Sequence, residues 1–128
     1  MVELTEGVNW LAVIIGTILS FILGWVWYSP LLFVKKWAEG INVMPNPDAK
    51  MPMSALAMQL LGTFLLAWLV GITAAHNALA TIILVFVTIM ALIVSGGIFS
   101  SKSNYAIATE AGFIAAMAVV MIAVQAIL

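Results

Sequence analysis

The sequence predicts an all-α integral membrane protein: a four-helix bundle with up-down-up-down topology and a short interfacial amphipathic helix after the first span. Three observations support this prediction. Of the 128 residues, 66% are hydrophobic and only 7% are charged, whereas about 25% of residues are charged in ordinary soluble domains. Four hydrophobic segments are long enough to cross a bilayer core of about 30 Å as helices. The lysines all lie in loops that this topology places on one side of the membrane.

Turn signals divide the chain into its four spans. A span needs about 20 apolar residues, and the first hydrophobic run, from Val8 to Val34, is longer than that. Pro30 lies within it and disfavours helical geometry at Ser29, and a Ser-Pro pair is typical of the start of a helix. The sequence therefore predicts a single transmembrane domain, residues 1–128, with spans at about 8–28, 54–76, 78–99 and 106–128, an interfacial helix at about 30–40 and a loop at 42–53.

The segment after Pro30 has the pattern of a helix that lies in the membrane interface. At about 100° per residue, Lys35, Lys36 and Glu39 share one face, and the apolar side chains, Trp37 among them, share the other. An amphipathic helix of this kind beside a span favours a position in the interface plane. The alternative is a single tilted first span that continues through Trp37.

The cations predict how the chain is oriented in the membrane. Lys35, Lys36 and Lys50 lie between the first two spans, and Lys102 lies between the last two. Because lysine and arginine are enriched in cytoplasmic loops, the pattern predicts a multi-pass protein of the cell (inner) membrane with both termini outside. Aromatic and lysine side chains at the same level are predicted to be interface anchors: Trp27, Tyr28, Lys35, Lys36 and Trp37.

Small residues recur every four positions in the first span, at Gly16, Ser20 and Gly24, and the fourth span contains Gly112 in a similar series. Small residues at this spacing let helix backbones approach closely, and helix association in membranes depends on such packing. We interpret these residues as a helix-packing stripe. The sequence leaves open whether the stripe joins helices of one chain or of two chains.

Polar residues within the spans are the candidates for chemistry. Ionisable residues are costly in a membrane, and Glu110 lies about one turn into the fourth span. Gln59 and Ser95 lie at similar depths in the second and third spans, so one hypothesis is a polar layer formed by these three residues. The alternative is that Glu110 is a charge favoured by the helix dipole near an N-terminus, within reach of water or Lys102.

Composition argues against several kinds of site. The chain has no cysteine, so it has no thiolate ligand or cysteine nucleophile. It has no arginine and a net charge of −1, a poor basis for binding phosphate or nucleic acid. It contains no Ser/His/Asp set at matching depth, no His-Glu-x-x-His motif and no phosphate-binding glycine loop. We therefore expect no enzyme activity, no cofactor, no metal site and no nucleic-acid partner.

The segment from Gly24 to Trp37, GWVWYSPLLFVKKW, resembles an uncharacterised membrane family, domain of unknown function 1761. The shared signature is W-Y-S-P-L-L-F followed by a lysine and a tryptophan, and the last span, with Gly112, is also similar. The family commonly has glycine where this chain has Val34, and asparagine where it has Glu110. The resemblance implies a small four-span bundle and no established activity.

Two functional hypotheses from different classes follow. The first is a non-catalytic bundle in the lipid bilayer that acts through helix association, as a homo-oligomer or as an accessory subunit of a larger membrane complex. The second is a small-solute or ion channel or transporter with its pathway between protomers near Glu110. Transporters often have internal repeats or helices broken at mid-membrane. The sequence shows neither, so helix association is favoured.

Overall fold

A computed structural model describes residues 2–27 and 53–128. The described residues form five helices and no strand: α1 (Val2–Thr5), α2 (Trp10–Trp27), α3 (Met53–Ala75), α4 (Leu79–Phe99) and α5 (Asn104–Ile127). Helices α2 to α5 are each long and apolar enough to cross a membrane. The predicted all-α fold with four spans is confirmed, and the chain is a multi-pass membrane protein. The predicted interfacial helix at 30–40 and residues 42–52 of the predicted loop lie outside the described residues.

Polar side chains cap the starts of two spans. The Asn9 side-chain oxygen accepts a hydrogen bond of 3.2 Å from the backbone N–H of Ala12 at the start of α2. The Ser103 hydroxyl accepts one of 3.0 Å from the N–H of Ala106 at the start of α5. Each cap satisfies a backbone donor that has no partner within its helix.

Left-handed residues end α3 and α4. Asn77 has a φ of 53° and Ser101 a φ of 59°. In each case the next N–H donates back to a carbonyl five residues earlier, from Ala78 to Thr73 at 2.8 Å and from Lys102 to Gly97 at 2.9 Å. These bonds are those of the Schellman motif, which closes a helix and reverses the chain within a few residues.

The four spans are antiparallel neighbours in the order α3, α2, α5, α4. Helix α2 packs against both α3 and α5, whereas α4 packs mainly against α5 and makes few contacts with α3. Near the start of α2, Val13 meets Gly71 near the end of α3, and Gly97 near the end of α4 meets Ile107 near the start of α5. We call the end of the bundle that carries Lys102 the lysine end, and the opposite end, with His76, the histidine end.

The core lies between α2, α3 and α5, and α4 covers one side of it. Its buried members are apolar: Val13, Ala67, Val70, Ile82, Phe86, Phe113, Met117 and Met121. Helix α4 buries only Ile82, Phe86 and Gly97. Large apolar side chains cover the outside of the described helices, as expected where hydrocarbon is the solvent.

Helix α1 folds back over the histidine end of α3. Gly7 has a φ of 73° and reverses the chain between α1 and α2, a conformation that glycine adopts without steric cost. The Trp68 indole N–H donates a hydrogen bond of 2.7 Å to the Leu4 carbonyl, and the Trp10 ring lies 5.4 Å from the Trp68 ring. The indole N–H of this span-embedded tryptophan is thereby satisfied.

Candidate functional site at the lysine end

Trp27, the last residue of α2, reaches across to α5. Its indole N–H donates a hydrogen bond of 3.0 Å to the Thr109 carbonyl, and its ring centroid lies 6.3 Å from that of Phe113. The side chain is half-buried. Trp27 therefore joins the lysine ends of α2 and α5 through both a polar and an aromatic contact.

Two glycines make room for these rings. A Cβ built on Gly112 would lie 3.3 Å from Cζ2 of Trp27, and one built on Gly24 would lie 3.0 Å from Cζ of Phe113. Farther along the same interface, a Cβ on Gly16 would lie 3.8 Å from Cγ of Met121, and Ser20 is fully buried. The structure thus places Gly16, Ser20 and Gly24 in the packed interior, with both glycines against α5. Close approach of this kind is typical of small residues in membrane helices.

Glu110 forms an ion pair with Lys102. The lysine Nζ lies 2.9 Å and 3.0 Å from the two carboxylate oxygens, and the side chains of Lys102 and Glu110 are 28% and 17% exposed. Lys102 stands in the turn before α5 because its N–H donates to Gly97 at the end of α4. The pair therefore links the α4–α5 turn to the second turn of α5.

The hypothetical polar layer does not assemble inside this protomer. Gln59 and Ser95 are exposed, and the Gln59 amide nitrogen bonds to the Thr63 hydroxyl in its own helix, at 3.5 Å. Ser95 follows buried Phe86 by nine residues, about two and a half turns, so it lies on the opposite side of α4. Glu110 instead pairs with Lys102, which the α4–α5 turn places beside it.

Among the predicted interface anchors, Trp27 differs from the expectation of an aromatic belt. It is directed into α5, whereas Trp25 is 73% exposed. The sequence contains a signal for this difference that sequence analysis missed. Trp27 lies three residues after Gly24, so the two residues share a face of α2. Trp25 lies two residues before Trp27 and does not share that face. Tyr28, Lys35, Lys36 and Trp37 lie outside the described residues.

The histidine end carries His76, the one histidine of the sequence. A shallow cavity of about 240 Å³ there is lined by Ile72, Thr73, His76 and Ala78. The His76 Nδ1 lies 2.8 Å from the Ile72 carbonyl oxygen, so this nitrogen donates to the end of α3. Within residues 2–27 and 53–128, no group of three or more metal-ligating side chains comes together.

The fold and the lysine-end contacts define a class: a small multi-pass membrane bundle. In it, a tryptophan at the end of the first span contacts the last span through a hydrogen bond and an aromatic ring. The chain belongs to a family of proteins of unknown function, DUF1761, whose model matches residues 11–126. That match includes Trp27 and Gly112, which contact each other in the structure. Comparisons with curated proteins and with solved structures gave no significant match.

Proposed function

We propose that this protein is a non-catalytic integral membrane protein that acts by associating with other membrane chains, as a homo-oligomer or as an accessory subunit of a larger complex. The observation that carries the proposal is that Gln59 and Ser95, both within the spans, are exposed. Polar side chains at such positions gain most from hydrogen bonds to another helix, because hydrocarbon offers them no partner.

The interior of the protomer supports the same proposal, because its polar groups, apart from the buried Ser20 hydroxyl, have mutual or local partners. The buried hydroxyls of Thr17, Thr63 and Thr109 each donate to a backbone carbonyl four residues earlier. Lys102 neutralises Glu110 at close range. An interior of this kind holds a bundle together and leaves few groups for substrate chemistry.

A channel or transporter with its pathway between protomers near Glu110 is the weaker candidate. Such a pathway requires Glu110 to face a neighbouring protomer, whereas its side chain is only 17% exposed and is paired with Lys102. Association therefore accounts for the exposed Gln59 and Ser95 and leaves the ion pair between Glu110 and Lys102 in place.

The proposal includes an orientation in the cell (inner) membrane. We place the lysine end in the cytoplasm and both termini outside, because all four lysines precede α3 or lie between α4 and α5. This distribution follows the rule that positively charged residues are retained on the cytoplasmic side.

Native mass spectrometry from nanodiscs tests the proposal. We expect a discrete homo-oligomer, or a defined complex with a co-purified membrane protein. A protein that remains monomeric, with no co-purified chain at any protein-to-lipid ratio used, would contradict it.

A further inference from the structure

Two glycines in the spans have no packing neighbour among residues 2–27 and 53–128. A Cβ built on Gly62 or on Gly96 has no atom within 4 Å. By contrast, Cβ atoms built on Gly71 and Gly97 would lie 2.8 Å and 2.5 Å from neighbouring side chains. Glycine is among the least favourable residues in a helix interior, so packing within one chain does not account for Gly62 and Gly96.

Both open glycines border the gap between α3 and α4. Gly71 touches Val13 of α2, and Gly62 precedes it by nine residues, about two and a half turns, so Gly62 lies on the flank away from α2. Gly97 touches Ile107 of α5, and Gly96 lies about 100° round the helix from it, on the flank toward α3. Since α3 and α4 make few contacts and neither glycine has a neighbour within 4 Å, the described helices leave a gap at the level of these glycines. We call this gap, lined by Gln59, Gly62 and Gly96, the α3/α4 cleft.

Gln59 is exposed in this cleft although it lies on the core-facing side of α3. It precedes Thr63 by one turn and shares its face, yet Thr63 is 3% exposed and Gln59 is exposed. The amide nitrogen reaches only Thr63 of its own helix, at 3.5 Å, the one hydrogen bond that the described residues give this side chain. The amide oxygen has none among them, and an unsatisfied amide is costly in an apolar solvent.

We infer that the α3/α4 cleft is the surface through which two copies of this chain associate, with the Gln59 amide of each copy hydrogen-bonded to that of the other. The inference rests on the proposed function and names its surface and its partner. Lipid tails can fill the cleft but offer no hydrogen-bond partner to the amide.

A second copy supplies the hydrogen-bond partner that the Gln59 amide lacks in the cleft, because all copies have the same orientation in the membrane. All copies insert with the same orientation, so a two-fold axis runs along the membrane normal and brings identical residues together at equal depth. A glutamine amide contains both a donor and an acceptor, so two identical amides can satisfy each other. The open glycines let the backbones of the two copies approach closely.

Site-directed cross-linking tests this inference, and the chain helps because it contains no cysteine. Gly62→Cys and Gly96→Cys, each introduced alone, are oxidised in native membranes and separated on a non-reducing gel. We expect each variant to form a disulfide-linked dimer. Val119→Cys is the matched control, because Val119 is exposed on α5, away from the cleft, and should stay monomeric. Equal cross-linking at position 119, or cross-linking of the cleft variants only to a different protein, would overturn the inference.

Substitutions give a second readout. Gly62→Leu and Gln59→Leu should reduce the dimer fraction in nanodiscs at least tenfold. Neither should lower the melting temperature of the monomer, because Gly62 has no neighbour to displace among the described residues and Gln59 is exposed. Gly62→Leu should raise it slightly, through helix propensity. A dimer that persists in both variants would show that association stands and that the cleft is the wrong surface. Absence of any oligomer or complex in the unsubstituted protein would instead refute the proposed function itself.

Discussion

Adjacent residues in these helices have opposite environments, and Gly96 and Gly97 show this most clearly. A side-chain atom on Gly97 would meet Ile107 at 2.5 Å, whereas one on Gly96 would meet nothing within 4 Å. Each residue turns the helix by about 100°, which is enough to separate a packed position from an open one. Their sequence, two consecutive glycines, contains no sign of the difference.

This pair gives the first prediction. Gly97→Ala should destabilise the bundle by about 1–3 kcal/mol, the usual cost of overpacking. Gly96→Ala should stabilise the monomer by up to about 1 kcal/mol, through helix propensity alone. Thermal unfolding in detergent, under monomeric conditions, measures both. Equal effects of the two substitutions would contradict the packing of α4 against α5.

Glu110 gives the second prediction. Glu110→Gln keeps an oxygen acceptor for Lys102 and should largely preserve stability. Glu110→Leu leaves the lysine half-buried without its partner, and should cost less than the ~3–5 kcal/mol typical of a fully buried pair. Adding Lys102→Met to Glu110→Leu should restore part of the loss, because it removes the unpaired charge.

Chemical unfolding of the unsubstituted protein, Glu110→Leu, Lys102→Met and the double variant completes a double-mutant cycle for this pair. Zero coupling energy between positions 102 and 110 would show that the ion pair makes no net contribution.

The partner of Glu110 could be stated from sequence only as one of two alternatives. Lys102 is eight residues away and precedes α5, so its distance from Glu110 depends on the shape of the α4–α5 turn. The left-handed Ser101 and the bond from Lys102 to Gly97 produce that turn. Serine is not among the residues that commonly adopt this conformation, so the turn was not predictable from the residue type.

At the scale of helices, Trp27 decides how α2 meets α5, and it gives the third prediction. Trp27→Phe keeps an aromatic ring but removes the hydrogen bond to Thr109, at a cost of about 0.5–1.5 kcal/mol. Trp25→Phe is the matched control, since Trp25 is 73% exposed and surface substitutions usually change stability by no more than about 0.5 kcal/mol. Unfolding in detergent compares the two variants. An equal loss of stability in both would argue against the hydrogen bond from Trp27 as a contact that holds α2 against α5.

The extents of the spans were largely predictable from sequence, because a membrane requires continuous apolar segments of fixed length. Where the helix ends lie inside the described ranges, the predicted spans at 8–28, 54–76, 78–99 and 106–128 differ from the observed helices by at most two residues. The largest differences occur where a side chain caps the helix: Asn9 before α2, and Ser103 before α5. Which flank of a helix meets which neighbour was less predictable, because all faces of these helices are apolar.

At the scale of the whole molecule, α5 occupies the central position, in contact with all three other spans, and α4 is peripheral. Helix α2 packs against α3 and α5, whereas α4 packs mainly against α5. Consecutive helices α3 and α4 therefore leave a cleft although a short turn joins them. An up-down-up-down connection fixes the directions of the helices but not how evenly they pack, so hydropathy alone gave no indication of the cleft.

The orientation of the molecule gives the last prediction, which concerns the side of the membrane that each end faces. The lysine end carries Lys102 and adjoins the segment with the other three lysines, and the histidine end carries none of the lysines. Single cysteines at positions 50 and 76 should separate the two sides, because His76 is exposed and Lys50 lies in the segment before α3. In intact cells, a membrane-impermeant maleimide should label His76→Cys and spare Lys50→Cys until the membrane is opened. Protection of position 76 with labelling of position 50 would invert the topology, and would show that four lysines on one side do not determine the orientation of this chain.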